Sequence, residues 1–123
     1  MMRTEEFEHL VATRVSVLET RSLDKTVMGL TFGFPDTKDF SKVRILVRGS
    51  DKRRVQVVTF VHEIVHLHHG DEVITLMERF EKGLIGDAAE AKIEREGKRF
   101  YKAHRKLARD TFFTLLKQSQ QQA

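Results

Sequence analysis

Residues 53–69 read RRVQVVTFVHEIVHLHH, and this stretch decides how the rest of the chain is arranged. Within this stretch, apolar residues at helical spacing form two rows. One row is Val55, Val58, Val61 and Val65, and the other is Phe60, Ile64 and Leu67. A helix that is apolar on most of its faces is buried in the protein. The sequence therefore predicts a buried helix that carries His62, Glu63 and His66 into the core or onto the wall of a cleft.

Two imidazoles lie one turn apart on this helix. His62 and His66 are separated by about 6 Å along the axis and about 40° around it, so both rings can reach one ion. Glu63 is rotated by about 100° from His62, which suits contact with an attacking water better than ligation. The pattern predicts a zinc hydrolase in which His62 and His66 bind Zn²⁺ and Glu63 is the general base. The alternative is two core histidines that hydrogen-bond to carbonyls or carboxylates.

A catalytic zinc site needs a third protein ligand, because the fourth position is left for water. A downstream helical pattern begins at Asp87, where Glu90 three residues later completes a capping box. Glu94 and Glu96 are the candidate ligands in this helix. For both, the alternative is an ordinary charged residue on a solvated helix face. The packed face of the helix is marked by apolar residues that recur every seven positions: Ile93, Phe100 and Leu107.

His69 continues the row of His62 and His66, whereas His68 points away from it. His69 is either a ligand or a substrate contact, or a solvent-facing histidine favoured by the negative end of the helix dipole. The metzincin class is excluded, because its pattern needs Gly at position 69 and His at position 72, where this chain has His69 and Glu72.

The run from Lys52 to Leu67, followed by the run from Glu94 to Phe100, resembles the active core of the ImmA/IrrE family of metallo-endopeptidases. In that family a strand leads into a basic helix start and a His-Glu-x-x-His helix. A later helix carries a Glu shortly before an Ala-Asn-x-Phe-Ala sequence. The resemblance covers residues 43–101 and implies a zincin-like active-site helix. It also implies that Glu94 is the third zinc ligand beside His62 and His66.

This chain departs from the family pattern after the proposed ligand. Gly97 and Lys98 stand where the family has Ala-Asn, and Tyr101 stands where an Ala follows the Phe. Glu96 therefore remains the second candidate for the third ligand. The resemblance implies an endopeptidase with a protein substrate, such as a helix-turn-helix repressor, in a phage or mobile-element setting.

Composition limits the class of protein. The chain has 123 residues, 40% of them hydrophobic, which is enough for one domain with one core over residues 1–123. It has no cysteine, so thiolate ligands, thiol nucleophiles and disulfides are excluded. No apolar run resembles a signal peptide or a membrane span, so we expect a cytoplasmic protein that does not enter the membrane.

The remaining elements predict an α+β fold. Apolar residues from Phe7 to Leu18 at helical spacing predict a first helix that ends near Ser22. Residues 27–34 and 43–48 alternate as strands, and a further helix is predicted between 71 and 83. We expect a small antiparallel sheet packed on the active-site helix, with two or three further helices.

The net charge of +4 favours acidic partners. Lys98, Lys102, Arg105 and Arg109 share one face of the last helical pattern, so DNA is a candidate partner through this basic helix. An ordinary solvated face is the alternative. Two other functions therefore compete with the peptidase: a basic nucleic-acid-binding protein, and a non-catalytic peptidase-fold protein that binds a partner without cutting it.

Overall fold

The computed structural model describes residues 1–23, 29–33, 42–69 and 87–121. This part of the chain forms an α+β fold, as the sequence predicts. The predicted helix between 71 and 83 lies outside the described residues. The elements, in chain order, are α1 (Thr4–Arg14), β1 (Val15–Arg21), β2 (Gly29–Gly33), β3 (Val43–Arg48), α2 (Arg53–His68), α3 (Asp87–Ala103) and α4 (Arg105–Gln121).

The three strands form one mixed sheet in the order β1-β3-β2. β2 pairs with β3 in the antiparallel direction, whereas β1 pairs with β3 in parallel. The two strands predicted from the sequence are thus antiparallel, but the prediction that the sheet is antiparallel throughout is wrong. The parallel strand comes from a segment that the sequence pattern assigned to a helix.

The first helix ends at Arg14, and its predicted continuation to Ser22 is wrong. In β1, Val15 pairs with Val43 and Val17 pairs with Arg44, so Ser16 is the extra residue of a β-bulge. The bulge changes the alternation of side chains, and Val15 and Leu18 are both buried although they are three positions apart. Such a three-residue spacing is typical of a helix, which explains the error.

The core is built around one phenylalanine from each helix. Phe7 of α1, Phe60 of α2, Phe100 of α3 and Phe112 of α4 are all at most 1% exposed. The ring of Phe7 lies 6.0 Å from that of Phe60 and 4.8 Å from that of Phe100, and Phe60 lies 5.8 Å from Phe112. Replacing any one of these rings with Ala would cost about 3–5 kcal/mol, so the four helices depend on a shared core.

Helix α2 is fixed at its first turn by the strand that precedes it. The buried Gln56 side chain donates hydrogen bonds to the carbonyl of Arg48, at 3.0 Å, and to that of Gly49. Arg48 in turn donates to Asp51 at 2.9 Å. From there α2 runs through the core with most of its side chains buried, which confirms the predicted buried helix. Its carboxyl end carries His68 and His69 toward the surface.

Helices α3 and α4 are separated at His104, whose backbone is hydrogen-bonded to both helices. The His104 amide donates to the carbonyl of Phe100 at 2.9 Å, and the amide of Ala108 donates to the carbonyl of His104 at 3.0 Å. Helix α4 then reaches β1, where the Leu18 amide donates to the Ser119 hydroxyl. Among the described helices, none combines the length and apolar character needed to cross a bilayer.

Candidate metal centre

The site forms where α3 crosses α2 at close range. Gly97 of α3 lies against the backbone of His62, such that a Cβ at Gly97 would be 3.4 Å from the His62 Cα. The side chains of Ile93 and Phe100, on the same face of α3, are buried in the core. Glu90 lies one turn before Ile93 on this face, and the crossing therefore turns it toward the histidines of α2.

Three side chains from the two helices converge at this crossing. The Nε2 atoms of His62 and His66 lie 3.1 Å apart. One carboxylate oxygen of Glu90, Oε1, lies 2.6 Å from the Nε2 of His62, and the other, Oε2, lies 3.3 Å from the Nε2 of His66. Within the described ranges, this trio is the group of His and acidic residues that could hold a metal ion together.

Burial differs across the trio. The His66 side chain is 6% exposed and that of His62 is 20% exposed, whereas that of Glu90 is 39% exposed. The histidines thus form the floor of the site and Glu90 forms its rim. A ligand could approach the pair of imidazoles from the side on which Glu90 meets solvent.

The donor atoms fit a tetrahedral zinc ion. Zinc bonds of about 2.0–2.1 Å to nitrogen and oxygen place neighbouring ligand atoms about 3.3 Å apart. The two imidazole nitrogens, 3.1 Å apart, come close to that value, and with one oxygen of Glu90 the three donor atoms lie within 4.8 Å of one another. Two imidazoles and one carboxylate are also the ligand set of known catalytic zinc sites. The residues present therefore suit zinc, with a fourth position left on the open side.

The contacts with the two histidines keep the Glu90 carboxyl ionised. Hydrogen bonds from His62 and then from His66 hold the pKa of the Glu90 carboxyl far below its ordinary value, against a smaller opposing effect of burial. Glu90 therefore remains a carboxylate at every pH at which an imidazole can bind a metal.

Glu63 lies outside the trio, on a different side of α2. Its side chain is buried, with 7% of the residue exposed. A Cβ placed on Gly29 would lie 3.3 Å from Glu63 Oε1, so the carboxylate is close to the backbone of β2. Glu63 is thus held between α2 and a strand at the edge of the sheet.

The structure does not bring Glu94 to the histidines. Its side chain is 52% exposed and forms an ion pair with Lys98, at 3.0 Å, on the outer face of α3. Glu90 lies beside His62 and His66, where the resemblance to the ImmA/IrrE family implied Glu94. The reason is helical geometry, because Glu94 is rotated by about 100° from the buried Ile93 beside it.

Glu96 has different partners. Its carboxylate lies 2.6 Å from the Nε2 of His69 and accepts a hydrogen bond from the Met2 amide at 3.1 Å. Burial raises the pKa of the Glu96 carboxyl. The hydrogen bonds from His69 and the Met2 amide together lower it by more than burial raises it, so the pKa lies below its ordinary value. His69 is therefore paired with Glu96 at the end of α2, while His68 lies 3.4 Å from Glu6.

Sequence reasoning missed Glu90, which it treated as part of a helix cap. A signal was present, because Glu90, Ile93, Gly97 and Phe100 follow one another at intervals of 3, 4 and 3 residues. This spacing defines one helix face. Glu90 is the charged residue on this otherwise apolar face of α3. A carboxylate in such a position needs a partner, and this could have indicated a metal ligand.

Comparisons of the chain with protein-family models, with curated proteins and with solved structures find no match. The interpretation of the site therefore depends on its geometry and on the chemistry of its donor atoms.

Proposed function

We propose that this protein is a zinc-dependent endopeptidase whose metal ligands are His62, His66 and Glu90. The observation that carries the proposal is the convergence of two imidazole nitrogens and one carboxylate within 4.8 Å of one another at a helix crossing. The motif His62-Glu63-x-x-His66 adds a buried carboxylate beside the first ligand. A structural zinc site would instead be closed by four protein ligands.

A zinc ion bound by the trio would supply Lewis acidity, which polarises a peptide carbonyl and makes a water molecule more acidic. His62 and His66 hold their Nε2 atoms toward a common point, and Glu90 keeps its negative charge to balance the cation. In the reaction, Glu63 accepts a proton from the attacking water as the new C–O bond forms. Glu63 then returns that proton to the amine as the C–N bond breaks.

The substrate would be an extended protein segment. β2 is at the edge of the described sheet and its Gly29 lies beside Glu63, so a peptide paired with the free side of β2 would pass close to the base. A zincin-like arrangement and membership of the ImmA/IrrE family belong to this proposal, which the resemblance of residues 43–101 supports. By that resemblance, the substrate is a small regulator such as a helix-turn-helix repressor.

The test combines metal content with one substitution in the base. Wild type and Glu63→Gln are expected to bind close to one zinc per chain, since the substitution leaves all three ligands in place. Cleavage of candidate repressors, followed by mass spectrometry, should fall by about 10²–10⁴ in Glu63→Gln, the usual worth of general-base catalysis. Glu94→Gln is the matched control, because it removes a carboxylate from the outer face of α3, and it should cut at the wild-type rate.

Three outcomes would count against the proposal. If protein refolded with zinc contains no bound metal, the proposed zinc site does not exist. Zinc binding with no cleavage by wild type, together with retained repressor binding, indicates a non-catalytic interaction protein. Equal cleavage by wild type and Glu63→Gln indicates that the hydrolysis comes from a contaminating enzyme.

A further inference from the structure

The outer face of α3 and the first turns of α4 carry a row of cations, which we call the basic row. Its members are Lys92, Arg95, Arg99, Lys102, Lys106 and Arg109. The intervals between them alternate between 3 and 4 residues, so the first four follow one line along α3 and the last two share a face of α4. All six side chains are exposed.

The row differs from the face that the sequence pattern suggested. That face included Lys98, whose charge is already paired with Glu94. Among the described residues, by contrast, no member of the basic row has an ion-pair partner. The carboxylate of Glu96, on the other flank, is occupied by His69 and the Met2 amide. Asp110, next to Arg109, is the acidic residue that adjoins the row at its far end.

The surface between the first cations is concave. A cavity of about 390 Å³ is lined by Lys92, Arg95 and Arg99, together with Met1 and Glu96. A depression rimmed by two guanidinium groups and one ammonium group suits a phosphate, because guanidinium groups bind phosphate oxygens through paired N–H donors.

We propose that the basic row binds the phosphate backbone of duplex DNA, without reading its sequence. The part of the row on α3 spans about 15 Å, a length over which B-DNA carries about nine phosphate charges. The spacing of the four cations on α3 is therefore compatible with contacts to separate phosphates.

Other partners fit this surface less well. A protein interface has a centre of aromatic and apolar side chains, and a helix that inserts into a membrane has an apolar face beside its basic one. The large apolar residues exposed in the described parts of the chain are Met1, which lines the cavity beside Lys92, and Phe113, which lies one helical turn beyond Arg109. Two separate apolar side chains do not form such a centre or face, and a line of cations is typical of phosphate contacts, which position a protein on DNA and carry no sequence information.

This proposal does not depend on the metal centre. The basic row is on the opposite side of α3 from Glu90 and Gly97, and DNA binding is expected to be the same with and without zinc. If both proposals hold, the row would bring the peptidase site to regulators that are themselves bound to DNA.

The test measures binding of the full chain to a labelled duplex of arbitrary sequence by fluorescence anisotropy at several salt concentrations. The row variant is Arg95→Gln/Arg99→Gln/Lys102→Gln. The control variant, Lys52→Gln/Arg54→Gln/Lys117→Gln, removes the same three charges from exposed positions outside the row. Gln is a good helix former, so both variants should fold, and circular dichroism checks this.

Loss of three phosphate contacts should make the plot of log K against log salt shallower by about 2.7, from about 0.9 per contact. The affinity at low salt should fall by more than about tenfold, while the control variant stays within about threefold of wild type. Equal losses in the two variants would overturn the proposal, since they would reflect net charge alone. Absence of binding at low salt would also overturn it, and so would equally tight binding to polyglutamate or to vesicles containing phosphatidylserine.

Discussion

The identity of the third ligand gives the sharpest prediction, because the sequence resemblance and the structure choose different glutamates. Glu90→Gln keeps the size of the side chain but removes its charge. Both oxygens of Glu90 contact the histidine pair, at 2.6 and 3.3 Å. Loss of a residue that only supports a ligand costs 10–100-fold in metal affinity, so loss of a direct ligand should cost at least about 100-fold. That factor corresponds to about 2.8 kcal/mol.

Glu94→Gln and Glu96→Gln are the matched comparisons. Glu94 is engaged in an exposed ion pair with Lys98, which is worth at most about 0.5 kcal/mol, and none of that pair touches the site. We expect zinc affinity to change by less than about threefold in both variants, well below the effect of losing a supporting residue. A competition titration against a chromophoric chelator at neutral pH measures all four proteins on one scale. A loss in Glu94→Gln as large as that in Glu90→Gln, or unchanged affinity in Glu90→Gln, would refute the assignment.

Three further predictions concern stability. Gly97→Ala should raise the free energy of unfolding by about 0.5–1 kcal/mol in urea titrations, because the new Cβ would make an ordinary contact with His62 at 3.4 Å and a helical Gly is costly. Gly29→Ala should lower it by about 1–3 kcal/mol, since its Cβ would lie 2.5 Å from Thr59 Cγ2, and Thr59→Ser should restore part of the loss by removing that methyl group. The pKa of Glu96 is lowered from 4.5 in the folded protein, so its stabilising effect is complete above pH 4.5 and is lost as the pH falls below it. Thermal unfolding should therefore show a smaller drop in Tm on acidification for Glu96→Gln than for wild type.

The buried helix α2 could be predicted from sequence because its signal is local. Apolar residues on most faces of α2 require burial wherever the helix is placed, and the spacing of His62 and His66 fixes their geometry within one turn. The direction of β1 could not be predicted in the same way. It depends on a bulge at Ser16 and on pairing with residues 43–48, which are distant in sequence.

The position of Glu90 could be predicted from the sequence only in part. Its place on the apolar face of α3 follows from the positions of Ile93 and Phe100, but its meeting with His62 depends on how two helices cross. Gly97 lies at this crossing, where a Cβ would be 3.4 Å from the His62 Cα. The resemblance matched residues by their order along the chain and pointed to Glu94. The residue that lies beside the histidines is instead determined by which faces of α2 and α3 are in contact.

The hydrogen bond between Leu18 and Ser119 joins residues 101 positions apart, and the bond between Met2 and Glu96 joins residues 94 positions apart. Early and late segments of the chain thus close over α2 together. Such non-local contacts slow folding, because a long loop must be ordered before any contact compensates for its entropy. During synthesis, His62 and His66 emerge from the ribosome well before Glu90 and the helix that carries Phe112. The nascent chain therefore presents two histidines without Glu90 or the surrounding core, and the proposed metal site is complete only once the later helices have been synthesised.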